Sequence, residues 1–150
     1  MPRIVECLGQ LSDEEIWWRP NEASNSVGNL LLHLAGNVRQ WIVSGVGGEP
    51  DTRDRQREFD ERTAIPRDEL LAKLRAVLEE SDAALARLDT ATLCDLVTIQ
   101  GRELTVLGAV YHVVEHFGMH TGQIILLSKA LSGDDLKFYD LGSGTPKPTW

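Results

Sequence analysis

The chain has 150 residues, of which 42% are hydrophobic and 25% are charged, and its formal net charge at pH 7 is −8. A chain of this length and composition can bury one substantial core, so we expect a single domain over residues 1–150. The acidic balance without a basic cluster disfavours nucleic-acid binding, and the lack of about 20 consecutive apolar residues disfavours a membrane span.

The first predicted elements are helical. The stretch PRIVECLGQ indicates a short helix, and LSDEEIWWRP indicates a further helical turn that ends at Pro20. Ser12 is placed to cap that turn, because acidic residues follow it at once. The second helix is predicted over NSVGNLLLHLAGNVRQWIVSG, with Ser26 as its cap and a glycine cluster at its end. Its core-facing stripe should consist of Val27, Leu31, Leu34, Val38 and Trp41.

The second half of the chain predicts two longer helices. After the charged connection EPDTRDRQREFDERTAI, PRDELLAKLRAVLEESDAALARL predicts a third helix with Pro66 in its first turn. The segment DLVTIQGRELTV alternates around Gly101 and predicts a small β-hairpin. The stretch TVLGAVYHVVEHFGMHTGQIILLSKALSG is apolar on most sides. We therefore expect it to form the most buried helix, roughly 40 Å long at ~1.5 Å per residue.

Together these elements predict an all-α fold. It is an antiparallel four-helix bundle with a small β-hairpin before the last long helix and a loop-like tail from about residue 132. Cys7 and Cys94 form no CxxC motif, and the start MPRIVECLGQ lacks the pattern of a signal peptide. We therefore expect reduced thiols in a cytoplasmic protein. The four tryptophans are expected in the core or at a dimer contact: Trp17, Trp18, Trp41 and Trp150.

The histidines are the most informative residues. Three of the four, His112, His116 and His120, follow one another at i, i+4 and i+8 on the fourth predicted helix. Residues four apart share a helix face, so two such imidazoles can converge on one metal ion. A third ligand must then come from a facing element, and His33 in the second predicted helix is the candidate. The spacing leaves open which neighbouring pair binds, and core histidines with satisfied hydrogen bonds remain the alternative.

The helical neighbours of His33 are small and polar, which is unusual for a bundle core. Asn29, Gly36, Asn37 and Gln40 form this stripe, which we interpret as the wall of a polar cavity beside a bound ion. Asn37, one turn from His33, is a candidate to orient a ligand. Glu58 lies in the charged connection and is interpreted as a member of a surface or interhelical ion pair, with a contact to the site as the alternative.

A competing motif lies in the same histidine row. The letters HVVEH, from His112 to His116, have the H-x-x-E-H form of inverted zinc peptidases, in which Glu115 would act as general base. Such enzymes are much larger, and this pattern arises easily by chance on a histidine-rich helix. The motif is therefore a minor alternative.

Three stretches carry a resemblance to a known family. NSVGNLLLHLAGNVRQWI, RQREFD and EHFGMHTGQIILL together resemble the DinB/YfiT-like superfamily over nearly the whole chain. The resemblance implies a four-helix bundle, often a homodimer, that holds a divalent metal ion, usually nickel or zinc, on three histidines. Matched residue by residue, it implies that His33, His116 and His120 are the ligands. The first predicted helix, PRIVECLGQ, is shorter than that of typical members.

The same resemblance assigns the remaining polar residues of the row. His112 is left one turn outside the ligand set, where it can contact the ligands or the core. Gln123 follows His120 by one turn and is placed to orient a ligand or a bound water molecule. Together with Asn37, these two residues are the predicted surroundings of the ion.

The resemblance also suggests a chemistry. Characterised relatives are transferases and isomerases that use small thiols such as bacillithiol or mycothiol, so we expect a metal-dependent enzyme that acts on a small molecule with such a thiol. Three neutral imidazoles leave coordination positions open, and a thiol bound there loses its proton. The alternatives are hydrolysis by metal-activated water and a non-catalytic metal-binding or structural bundle. The sequence identifies no catalytic residue beyond the ligands.

Overall fold

The computed structural model describes residues 1–142 and 144–149, so Trp150 lies outside the described residues. Within them the chain is mainly helical, as predicted. The α-helices are α1 (Pro2–Gly9), α2 (Asp13–Trp17), α3 (Val27–Val38), α4 (Arg55–Asp60), α5 (Arg67–Ala86) and α6 (Val106–Ser132). A π-helix (Arg39–Val46) extends α3, and a 3-10 helix (Thr90–Cys94) follows α5. Helices α1, α3, α5 and α6 form the predicted four-helix bundle.

Two serines start helices as the sequence predicts. The Ser12 hydroxyl accepts a hydrogen bond from the Glu15 backbone N–H, and the Glu15 carboxylate accepts one from the Ser12 N–H. Ser26 and Asn29 form the same reciprocal pair at the start of α3. Each pair satisfies backbone donors that the first turn of a helix leaves without partners. Helix α2 ends at Trp17, three residues before the predicted end at Pro20.

Helix α3 is the centre of the core. Eleven of its 12 residues are buried, because it packs against α2, α4, α5 and α6. They include all of the predicted apolar stripe except Trp41, which is buried in the π-helix that follows. The prediction that the last long helix is the most buried is wrong. Only six of the 27 residues of α6 are buried. Its other side carries exposed apolar residues: Leu107, Tyr111, Val114, Met119 and Leu126.

The end of α3 differs from an ordinary helix. From Arg39 to Val46 the backbone is π-helical, and three consecutive residues, Trp41, Ile42 and Val43, are buried there. An apolar run of this kind cannot face one side of a regular α-helix, whereas the wider π turn changes the spacing between neighbouring side chains. Gly47 caps this segment, within the predicted glycine cluster.

The predicted hairpin is confirmed. Strand β1 (Leu96–Ile99) pairs antiparallel with β2 (Arg102–Thr105), and Ile99 lies opposite Arg102. The two-residue turn between them needs left-handed backbone, which Gln100 (φ 54°) and Gly101 (φ 71°) adopt. The tail is loop-like except for a short pairing of β3 (Tyr139–Asp140) with β4 (Lys147–Pro148). Among the described residues, no helix combines the length and apolar character needed to cross a membrane.

Candidate metal centre

Three histidines meet between α3 and α6. His33, His116 and His120 each present one ring nitrogen, and these three atoms all lie within 4.8 Å of one another. The Nε2 atoms of His33 and His116 are 2.9 Å apart. Two nitrogens that bind one ion at roughly 2.0–2.1 Å each lie about 2.9–3.4 Å apart, so this separation suits a shared ion. The cluster can therefore hold a metal ion.

Helix geometry explains why these three residues meet. His116 and His120 are four residues apart on α6, so both rings leave the same face of the helix. That face packs on α3, where His33 has its ring centroid 5.0 Å from the centroids of both other rings. His33 and His120 are buried, and His116 is half-buried. Only His116 thus retains appreciable contact with solvent.

Two of the three rings have a hydrogen-bond partner on the side away from the cluster. The Nδ1 atom of His33 lies 2.8 Å from Glu58 Oε2, and Nδ1 of His120 lies 2.7 Å from Gln123 Oε1. Both partners are oxygens that accept, so each Nδ1 carries the proton and each Nε2 keeps its lone pair. Partners of this kind orient imidazole ligands in metal sites. The donor set therefore fits a divalent ion.

The partner of His33 belongs to a buried ion pair. Arg53 donates from Nε to Glu58 Oε1 over 2.7 Å and from Nη2 to Oε2 over 2.8 Å. Burial alone would raise the pKa of the Glu58 carboxyl, but hydrogen bonds and charge from Arg53 and His33 outweigh it and hold the pKa below its usual range. The predicted ion pair of Glu58 is therefore present, but it is buried and not on the surface, since Glu58 is only 9% exposed. The alternative of contact with the site also agrees with the structure.

The polar stripe that begins in α3 packs against the connection between α3 and α5. Asn29 Nδ2 donates to the backbone oxygen of Glu58 over 2.9 Å, and Gln40 Nε2 donates to Asp51 Oδ2 over 2.7 Å. Between them lies Gly36, beside the Glu58 carboxylate. Gly36 and Glu58 line a groove, but none of the three histidines lines that groove, so the predicted polar cavity is not beside the ion cluster. The side-chain amides of Asn29 and Gln40 pair with the connection between α3 and α5.

The environment keeps the α6 imidazoles neutral. Burial, followed by the proximity of His120 and His33, lowers the pKa of His116 to about 4. Burial also lowers the pKa of His120, and the hydrogen bond with Gln123 opposes this only in part. A neutral imidazole is the form that binds a metal ion. Both residues are therefore in their ligand form at neutral pH.

Comparisons with known proteins agree with this fold. Residues 3–145 match the family described as "Protein of unknown function (DUF1572)". The chain belongs to this family.

Two solved structures resemble this DUF1572 protein. A conserved protein from Enterococcus faecalis has a TM-score of 0.72 and 17% identity, and the alignment covers 89% of this chain and 91% of that one. A DinB-like protein from Bacillus cereus ATCC 10987 has a TM-score of 0.69 and 18% identity, with coverage of 90% and 87%. The predicted resemblance to the DinB/YfiT-like superfamily is thereby confirmed. No protein with a curated description matches the chain significantly.

Of the other residues predicted to surround the ion in this DUF1572 protein, His112 is not one of the three clustered ligands, but its ring stacks on that of His116 with centroids 5.4 Å apart. The ring of His112 packs on Trp41, with centroids 3.9 Å apart. Asn37 is buried, but in the part of the chain that the structure describes its Oδ1 has no hydrogen-bond partner. Glu115, the general base of the alternative peptidase motif, is exposed. The HVVEH pattern therefore does not form a compact group of its own here.

Sequence reasoning gave no site role to two residues that lie beside His33, Arg53 and Phe59. Arg53 was not singled out, although it holds Glu58. The Phe59 ring lies with its centroid 4.7 Å from that of His33, and the Arg55 guanidinium lies 5.0 Å above Phe59. All belong to the charged connection, where the high content of Arg and Glu suggested a solvated segment. The polar stripe of α3 could have indicated them. Buried polar groups need hydrogen-bond partners, so a polar segment had to pack against that stripe.

Proposed function

We propose that this protein binds one divalent ion, nickel or zinc, through His33, His116 and His120 and uses it in a reaction of a small external thiol. The reaction class is transfer of the thiol to an electrophile, or an isomerisation that uses the thiol. The observation that supports this is the all-nitrogen cluster within 4.8 Å. A divalent ion held by neutral imidazoles retains its charge and open positions, and so lowers the pKa of a bound thiol.

The cysteines of the chain are poor candidates for the reacting thiol. Cys7 is fully buried, and burial raises the pKa of its thiol, which disfavours the thiolate. Cys94 is exposed in the 3-10 helix before the hairpin and is not a member of the histidine group. The thiol therefore comes from solution, and the free state of both cysteines fits a reducing, cytoplasmic setting.

The residues around the cluster have distinct tasks in this proposal. The three histidines hold the ion, Glu58 and Gln123 orient two of them, and Phe59 covers the ring of His33. In the transfer reaction the thiol loses its proton to solvent, the sulfur forms a bond to an electrophilic carbon, and the displaced group leaves with the bonding electrons.

The proposal is tested with electrophiles, such as a haloarene and an epoxide, offered with and without cysteine-derived thiols to zinc- and nickel-loaded protein. Thiol consumption should require the ion and should disappear in His33→Ala. It should survive in the double variant Cys7→Ala, Cys94→Ser. The control His112→Ala should retain activity, because His112 lies outside the cluster of ligand atoms.

Two results would contradict the proposed thiol chemistry. Turnover of esters or amides by the loaded protein without any thiol would identify the chemistry as hydrolysis by metal-activated water. Failure of the protein to retain any divalent ion would leave a structural bundle. The three histidines would then be a set of core residues.

We also propose that the protein is a homodimer. The support is the exposed apolar side of α6, where Tyr111 is 71% exposed, Val114 is 64% exposed and Leu126 is 69% exposed. Exposed apolar side chains on one helix commonly mark an interface, and a second copy with twofold symmetry can cover them.

A further inference from the structure

The carboxylate of Glu58 occupies space that exists because residue 36 is glycine. A Cβ atom at Gly36 would lie 1.9 Å from Glu58 Oε1 and 2.9 Å from Arg53 Nε. The side chains of Arg53 and Glu58 are only 4% and 10% exposed. Removing two charges from water is costly, and a buried ion pair often contributes little to stability. We therefore expect this ion pair to have a role other than stabilising the fold.

The Nδ1 atom of His33 has two neighbours that compete for it. Glu58 Oε2, an acceptor, lies at 2.8 Å, and Arg53 Nη2, a donor, lies at 3.1 Å. Nδ1 can serve only one of them, because it either carries a proton or offers a lone pair. The carboxylate contact is shorter and charged, which favours the protonated Nδ1. Arg53 then donates hydrogen bonds from Nε and Nη2 to the carboxylate and not to the ring.

The tautomer of His33 determines what its other ring nitrogen, Nε2, can bind. With its proton on Nδ1, His33 keeps the lone pair on Nε2, and that atom faces His116 Nε2 at 2.9 Å. The other tautomer would place a hydrogen on Nε2, toward the cluster. The choice of partner at Nδ1 thus decides whether His33 can act as a ligand.

We propose that Glu58, held by Arg53 and packed against Gly36, is the positioning residue for His33 in the metal centre and keeps this ring in the Nδ1–H tautomer. The part of this inference that concerns the ion rests on the proposed function. The connection between α3 and α5 therefore belongs to the site. Asn29 fixes it in place, because its Nδ2 donates to the backbone oxygens of Glu58 over 2.9 Å and Glu61 over 3.2 Å.

The tautomer is measured directly in the metal-free protein. Heteronuclear NMR correlation spectra of chelator-treated protein, recorded above neutral pH, distinguish the two neutral forms of each histidine ring. The signals of His33 are assigned by their loss in His33→Gln. We expect the Nδ1–H form in the wild type and a shift toward the Nε2–H form in Glu58→Ala. The Nε2–H form in the wild type would overturn the proposal.

Zinc affinity is the second measurement, with matched controls. Glu58→Gln removes the charge, and Gly36→Ala displaces the carboxylate, so both should weaken zinc binding by roughly ten- to a hundredfold. Two controls should bind zinc as the wild type does: Glu69→Gln, on an exposed position in the first turn of α5, and Gly9→Ala, where an added Cβ meets no atom within 4 Å. Circular dichroism identifies any variant that fails to fold.

The outcomes separate this inference from the proposed function. Wild-type affinity in both Glu58→Gln and Gly36→Ala would show that Glu58 does not position the ligand. A wild type that binds neither zinc nor nickel, yet shows His33 as Nδ1–H and loses that form in Glu58→Ala, would refute the metal function. The control of the tautomer by Glu58 would then stand.

Discussion

The indole of Trp41 and the imidazole of His112 pack together in a tilted arrangement, with ring centroids 3.9 Å apart and an angle of 32° between the ring planes. This contact holds His112 on the side of the π-helix, one turn of α6 away from His116. Burial lowers the pKa of His112, so the stacked ring is neutral. The contact explains why the earlier pair of the row, His112 and His116, does not provide the two nitrogens that face His33.

The metal content of alanine variants should distinguish the three proposed ligands from His112. We expect His33→Ala, His116→Ala and His120→Ala each to lose bound metal, because two imidazoles rarely retain an ion alone. His112→Ala should keep its metal and lose only stability, since it leaves a gap beside Trp41. Elemental analysis of the purified variants measures this. Loss of metal in His112→Ala together with retention in His120→Ala would contradict the assignment.

Bound metal should stabilise the fold. An ion that binds only the folded state adds about 2.7 kcal/mol to the free energy of unfolding at a hundredfold excess over its dissociation constant. For a domain of this size we expect a rise of about 5–10 °C in melting temperature. A chelator should reverse the rise. His120→Ala serves as control, and an equal rise in that variant would place the binding elsewhere.

Acid should destabilise the metal-free protein. Burial and the neighbouring rings of His120 and His33 lower the pKa of His116 from 6.5 to about 4. Between these pH values the unfolded chain takes up a proton that the folded chain does not. The free energy of unfolding therefore falls as pH falls from 6.5 to about 4, and His116 has no effect above that range. Melting curves of chelator-treated protein should show this fall, and His116→Gln should reduce it. An unchanged pH dependence in His116→Gln would count against the lowered pKa.

The exposed side of α6 should mediate dimerisation. Sedimentation at micromolar concentration is expected to give twice the mass of the chain. Tyr111→Glu and Val114→Glu should each produce monomers, because a charge would have to be buried in an apolar interface. Ala83→Glu, on an exposed position of α5, is the control. A wild type that sediments as a monomer refutes the dimer.

Much of the fold follows from patterns that extend over one or two helical turns. Ser12 and Ser26 start their helices because their side chains bond to backbone three residues ahead. The alternation around Gly101 predicts its hairpin for an equally local reason. The i,i+4 spacing likewise places His116 and His120 on one face before any packing is considered. Such features depend on close neighbours in the chain, so the sequence by itself determines them.

Contacts between distant segments decided the rest. Spacing alone makes the two histidine pairs of the row equivalent. The resemblance indicated the later pair, and the packing of α6 on α3 places that pair beside His33. Glu58 is 25 residues from His33 in sequence, and its charge alone suggested a surface or interhelical ion pair. The exposed side of α6 could not be predicted either. A helix that is apolar on most sides gives no indication of which side is buried until its neighbours are placed. The rotation and depth of each helix depend on the packing of the whole core, which no single stretch of sequence contains.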